Sequence, residues 1–194
     1  MSDKDWIQTY TGKKFYPCAP RAEDLSIVDM ARALSMCCRY AGHVQRFYSV
    51  AEHATRLSRR AKKLRLSLEI QKQCLVHDNS EAYLGDVTRP LKIQPEMVGY
   101  KKAEGVLQRL IFRWTGLPED ELPEVRALDT EILGTEVAAL KQPVHPDWAK
   151  TTSTGGLAAP WPGDLTSWGW PPALAEFEYL ERFRELWPDW DWGD

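Results

Sequence analysis

Apolar residues recur at steps of three and four along most of this chain, a period that suits helices buried on one face and excludes half-buried strands. The cleanest run is Ala103, Val106, Leu107, Leu110, Ile111 and Trp114, closed by Gly116-Leu117-Pro118. Ile27, Ala31, Leu34 and Cys38 predict a helix from Ile27, with Ser26 as N-cap and Asp29 in its first turn. Val50, Ala54, Leu57 and Ala61 predict another from near Ser49, with Glu52 placed to complete a capping box. A third is expected over about 69–84, stopped by Gly85, and a loop punctuated by Pro90 and Pro95 follows. Over about 123–141 the inward residues are Val125, Leu128, Ile132, Leu133, Val137 and Leu140. A last helix, about 173–187, places Leu174, Phe177, Leu180 and Phe183 on one stripe. Only residues 6–15, with a Thr11-Gly12 turn, read as a short hairpin, of little consequence. The class is all-α, a single-domain helical bundle over 1–194.

Residues 143–172 break the period. Six prolines and a Thr-Thr-Ser-Thr-Gly-Gly stretch argue against regular structure there, while Trp148, Trp161, Trp168 and Trp170 argue for a segment packed onto the bundle. A chain of 194 residues can bury a real core in one domain. The net charge of −3 does not indicate a surface that wraps a nucleic-acid polymer. The start MSDKDWIQTY lacks an apolar signal region, and no apolar run is long enough to span a bilayer, so a cytosolic protein without a membrane partner is expected. Cys18, Cys37, Cys38 and Cys74 form no C-x-x-C pair and are taken as structural. The basic run at 56–65 reads as a solvated helix end, since no aromatics interleave it.

The chemistry lies where polar residues occupy apolar positions. His53 falls three after Val50 and four before Leu57; Asp129 falls four after Val125 and three before Ile132; His77-Asp78 sits mid-helix behind Leu75-Val76. An inward carboxylate must be paired, neutralised or bound to a metal. Two histidines and two aspartates offer nitrogen and oxygen donors suited to Mn²⁺, Co²⁺, Fe²⁺ or Mg²⁺. Glu81, three beyond Asp78 and four beyond His77, shares their side of the helix and is placed to handle a proton. Each residue taken singly has a plainer reading. A histidine on an apolar face is more often a bonded core residue, Asp129 can pair with an arginine, and Glu81 can be an exposed helix residue.

The segments Cys38-Arg39-Tyr40-Ala41-Gly42-His43, Phe47-Tyr48-Ser49-Val50-Ala51-Glu52-His53, and His77-Asp78-Asn79-Ser80-Glu81-Ala82-Tyr83-Leu84-Gly85-Asp86-Val87-Thr88-Arg89-Pro90-Leu91-Lys92 resemble the 5′-deoxynucleotidases of the HD superfamily, closest to the branch of phages and prophages. The resemblance runs from about Tyr10 to Leu140. It implies one divalent ion held by His53, His77, Asp78 and Asp129, with Glu81 and Asp78 catalytic and a deoxynucleotide substrate. Arg39 would hold the phosphate, His43 could add a positive donor to it, and Thr88 and Lys92 fall among the substrate contacts. Tyr40 stands where an aromatic packs on sugar or base, and Asp86 near the sugar hydroxyls. Asn79 departs from the alanine common in the family and could bond to the metal pair. Family members are often homodimers. The implied activity is removal of the 5′-phosphate from deoxynucleoside monophosphates. The alternatives are hydrolysis of a deoxynucleoside triphosphate and a non-catalytic nucleotide-binding or interaction module.

Overall fold

A computed structural model of the chain describes residues 5–150 and 156–192, with only the backbone of 149 and 150; of the 151–156 stretch, only Gly156 is therefore described. With 59% of residues in helices and 3% in strands, the protein is all-α. The helices are α1 (Ile27–Met36), α2 (Val50–Lys63), α3 (Leu68–Val76), α4 (Glu81–Leu84), α5 (Arg89–Lys92), α6 (Val98–Trp114), α7 (Pro123–Leu140) and α8 (Pro172–Leu186). One apolar cluster joins α1, the start of α2, α3, α6 and α8; a second joins the later turns of α2, Cys74 of α3, α7 and Trp168. No helix among the described residues is long and apolar enough to cross a membrane.

The caps follow the sequence, with one difference. Ser26 and Ser49 accept hydrogen bonds from the N–H groups of Asp29 and Glu52. The Glu52 side chain does not return to its cap. It is fully buried and accepts from the N–H groups of Gly169 and Trp170 and from Arg56. The Trp-rich segment is thus fastened to α2 by a carboxylate that would otherwise have closed a capping box.

The hairpin, β1 (Ile7–Gln8) paired with β2 (Lys14–Phe15), has more consequence than its length implies. Asp29 of α1 accepts from the N–H and hydroxyl of Thr11 at 2.6 and 2.8 Å. Phe15 is fully buried and stacks on Tyr83 of α4, with ring centroids 3.8 Å apart.

The expected helix over 69–84 is two helices. α3 stops at Val76, and i→i−3 bonds from Asn79, Glu81, Ala82 and Tyr83 tighten the chain before α4. The cause is Gln108 of α6. Its amide donates to Val76 O at 2.7 Å and accepts from Ser80 N–H at 3.0 Å, replacing the bond those two groups would make to each other in an unbroken helix. The stretch around Pro90 and Pro95 is likewise not all loop: Pro90 fits the first turn of α5, where its missing N–H costs nothing.

Two apolar stripes are rotated from their expected faces. Val106 is exposed on α6, where Phe112 is buried instead. On α8 Leu174 and Phe177 are exposed, while Ala175, Tyr179, Arg182, Phe183 and Leu186 are buried. Arg182 can sit inside because its guanidinium donates to Ser58 Oγ, Ser58 O and the Gln71 side chain. The segment at 156–170 lies against α7 where Gly134 has no side chain; a Cβ there would come 2.0 Å from Ala158 O.

Candidate metal centre

Three elements meet at one point. α2 brings His53, the tightened turn after α3 brings His77 and Asp78, and α7 brings Asp129. His53 Nε2 lies 3.4 Å from His77 Nε2 and 3.2 Å from Asp129 Oδ1, and the donor atoms of these three residues all fall within 4.8 Å of one another. Asp78 Oδ2 is 3.3 Å from His77 Nε2 and 3.7 Å from His53 Nε2. Ligands about 2.1 Å from a common ion are separated by about 3.0–3.4 Å in octahedral or tetrahedral arrangement. The separations of 3.2–3.4 Å match that spacing, and the 3.7 Å from His53 to Asp78 and 3.9 Å from His77 to Asp129 are a few tenths of an ångström longer.

The outer nitrogens explain why a cation belongs there. His77 Nδ1 faces Cys74 O at 3.0 Å, and a carbonyl only accepts, so the proton is on Nδ1. His53 Nδ1 faces Glu136 Oε1 at 2.6 Å. Burial opposes charge on Glu136, but Arg39 and His53 hold its pKa down at about 2, so it is an ionised acceptor and His53 Nδ1 also carries its proton. In the neutral rings both Nε2 atoms present lone pairs to each other and to two carboxylates. A cation relieves that arrangement: a proton shared with the carboxylates when no metal is bound, or a metal ion in its place. Burial works against a charged His77, yet Asp78 and Asp129 outweigh it and lift its pKa to about 10. Asp129, resisted by burial, is drawn well below the usual carboxylate range by its bonds to the two histidines. The residues fit a divalent ion of the nitrogen- and oxygen-preferring kind.

Around this centre lie charged side chains of both signs. Arg39 Nη1 is 3.3 Å from Asp78 Oδ2, and its Nη2 is 3.7 Å from Glu136 Oε2. Glu81 is 6% exposed, its Oε2 has no hydrogen-bond partner among the described residues, and burial with Asp78 and Asp86 nearby pushes its pKa well above the usual range. Lys92 Nζ sits 3.6 Å from Glu81 and 2.7 Å from Glu104. Tyr40 and Ala41 occupy the left-handed region at φ 59° and 51°, a conformation that costs non-glycine residues about 1–2 kcal/mol each. The loop is held by Arg39 N–H to Tyr48 O and by the Tyr40 hydroxyl, which donates to Glu136.

Not every expected site residue joins the group. His43 is exposed and bonded through its backbone, to Tyr40 O and from Lys141; no hydrogen bond or ion pair among the described residues links its ring to the centre. Thr88 caps α5 without a side-chain bond, and its carbonyl accepts from Leu91 and Lys92. Asp86 follows Gly85 and is near enough to help raise Glu81; the Cys37 thiol, pushed up to about 11 by burial, is drawn down in part by a hydrogen bond with the Asp86 backbone. Asn79 points away from the metal pair: its amide donates to Met30 Sδ and accepts from the Tyr179 hydroxyl at 2.9 Å, so it braces α1 and α8.

Two residues escaped the sequence reading. Glu136, fully buried, accepts from Tyr40, Tyr48 and His53 and lies beside Arg39. Its position seven after Asp129, two turns along the same helical face, was the available signal. Glu104 orients Lys92 and carried no signal beyond its charge.

No family model matches the chain. The uncharacterized protein YfdR of Escherichia coli (strain K12) is 37% identical over 132 residues, an alignment that covers 68% of this chain and 70% of that protein. At that identity and coverage the chain belongs to the family of YfdR.

Proposed function

We propose that the protein is an HD-superfamily metal-dependent phosphohydrolase that removes the 5′-phosphate from deoxynucleoside 5′-monophosphates. The observation that carries this reading is the convergence of two histidine Nε2 lone pairs with Asp129 and Asp78, each ring fixed from behind by Glu136 or Cys74 O. His53, His77, Asp78 and Asp129 would hold the ion; Mn²⁺, Co²⁺, Fe²⁺ and Mg²⁺ suit them, and such an ion supplies positive charge to the phosphoryl group and makes a nearby water more acidic. Arg39 binds phosphate oxygens with a planar fork whose Nε has no hydrogen-bond partner among the described residues. Lys92, 3.6 Å from Glu81, adds a second cation. Glu81 is the proton-transfer group: Arg39, Lys92 and a bound cation would favour the ionised form that its burial disfavours, and in that form it would accept the proton of the attacking water. Asp86 reads the sugar and Tyr40 packs on sugar or base, in keeping with the resemblance.

A non-catalytic module has no need of a near-buried glutamate beside an intact metal group. Triphosphate hydrolysis uses the same constellation and differs in the product. Deoxynucleoside monophosphates, ribonucleoside monophosphates and deoxynucleoside triphosphates are therefore incubated with Co²⁺, Mn²⁺ and Mg²⁺ and resolved by product. Inorganic phosphate from the deoxynucleoside monophosphates supports the proposal. Pyrophosphate or triphosphate from the triphosphates alone rejects it, and equal rates on AMP and dAMP remove Asp86 from sugar selection.

A further inference from the structure

The basic run on α2 is spent inside the protein. Arg56 lies 4.4 and 4.5 Å from the rings of Trp168 and Trp170 and pairs with Glu52; Arg59 pairs with Glu178, and Arg60 with Glu131. Lys141, at the C-terminal end of α7, is different. It makes no ion pair among the described residues. Its ammonium donates to His43 O at 2.6 Å and lies 4.4 Å from the centre of the Tyr40 ring and 5.4 Å from that of Trp148.

The two rings stand at 75° to each other with centroids 6.3 Å apart, and both side chains are half-buried. An edge-to-face pair leaves flat ring surface that a stacked pair would have covered. Tyr40 is fixed by its left-handed backbone and by its hydroxyl bond to Glu136, the carboxylate that also holds His53. Trp148 arrives on a short 3-10 turn (Pro146–Lys150), with its N–H bonded to His145 O at 3.0 Å. The corner made by Tyr40, Trp148 and Lys141 is thus tied to the metal group through Glu136. It also adjoins Arg39, whose guanidinium carbon lies 5.7 Å from the Tyr40 ring.

We propose that Trp148 and Lys141 complete, with Tyr40, the subsite that holds the nucleobase of the substrate; this rests on the reading of the metal centre as a nucleotide phosphohydrolase. A purine or pyrimidine is a flat ring with acceptor atoms on its edge. Aromatic side chains stack on any such ring, and a lysine ammonium, which only donates, rewards an acceptor at the edge. Arg39 takes the phosphate, and Tyr40 and the ring beside it are the aromatic surface next to it. Both Lys141 and Trp148 lie beyond Leu140, where the resemblance ends, so their part in the site is read from the structure alone.

The test measures KM and kcat for dAMP, dGMP and dTMP, and inhibition by 2-deoxyribose 5-phosphate, which has the sugar and phosphate but no base. The metal-loaded wild type is compared with Trp148→Ala, Lys141→Met and Trp148→Phe, the last keeping a flat ring. The proposal expects KM to rise about ten-fold in Trp148→Ala, the usual scale for a lost stacking partner, with kcat little changed. Lys141→Met should raise KM as well, Trp148→Phe should recover most of the loss, and inhibition by the base-free sugar phosphate should be the same in all four proteins. An unchanged KM in Trp148→Ala, or an equal loss of affinity for the base-free compound, overturns the subsite. If the wild type releases phosphate from none of the deoxynucleotides, the phosphohydrolase reading is what fails. Calorimetric titration of deoxyguanosine then judges the corner by itself: binding that weakens about ten-fold in Trp148→Ala supports a base site, and no binding overturns it.

Discussion

His53 Nδ1 lies 2.6 Å from Glu136 Oε1, and that one bond decides which nitrogen of the ring faces the metal group. Glu136 is fully buried, takes two tyrosine hydroxyls as well, and sits beside the guanidinium of Arg39. It therefore ties the loop of Arg39 and Tyr40 to a histidine of the candidate metal group. Glu136→Gln preserves the shape but removes the charge. Mn²⁺ affinity is expected to fall about 10–100-fold, the usual consequence of losing a partner behind a ligating histidine. A Mn²⁺ titration of both proteins checks it, and equal affinities would remove Glu136 from this role.

The same carboxylate makes stability depend on pH in a defined direction. Its pKa is lowered from an ordinary 4.5 to about 2 because Arg39 and His53 outweigh its burial. A depressed folded-state pKa stabilises above the unfolded value and loses that contribution as pH falls through the folded one. Glu136 should thus contribute about 3 kcal/mol above pH 4.5, fading towards pH 2. Urea unfolding of the metal-free protein should show the gap between wild type and Glu136→Gln narrowing over that window. A constant gap would contradict the assignment.

Glu81 separates chemistry from metal binding on the proposed reading. Its free Oε2 marks it as a proton carrier and not as one of the converging donors. Glu81→Gln should keep Mn²⁺ affinity and lose roughly 10²–10⁴-fold in kcat. Loss of metal in that variant would make Glu81 a ligand; near-normal turnover would exclude it from the reaction.

Gln108 holds the break that places His77 and Asp78. Gln108→Ala leaves Ser80 N–H without its partner and Val76 O with only the 3.2 Å bond from Asn79, at a cost of about 1–3 kcal/mol. Gln108→Glu can still accept from Ser80 but cannot donate to Val76, so its stability should fall between the two. Denaturant midpoints check the order, and an unaffected Gln108→Ala would mean the turn stands without it.

The helices were legible because their periods are local, and His53 and Asp129 because polar residues interrupted those periods. What was not legible depended on partners far along the chain. The break after Val76 needs Gln108, thirty-two residues on; the buried face of α8 is set by Arg182 meeting Ser58 and Gln71. Asn79 looked like a neighbour of the metal pair, but the tightened turn aims it at Met30 and Tyr179. The basic run seemed unaccompanied because its tryptophans lie in a segment with no period at all. Glu136 was the one missed site residue with a local signal, its seven-residue spacing from Asp129.

On the proposed reading the two histidines and two aspartates hold an ion on which phosphate release depends. The measurement is inorganic phosphate produced from a deoxynucleoside monophosphate by the chelator-treated protein, before and after Mn²⁺ or Co²⁺ is restored, with Asp129→Ala alongside. The account predicts no release after chelation, recovery with the metal, and none in Asp129→Ala under either condition. Release that survives chelation, or that Asp129→Ala performs as well as the wild type, would contradict it.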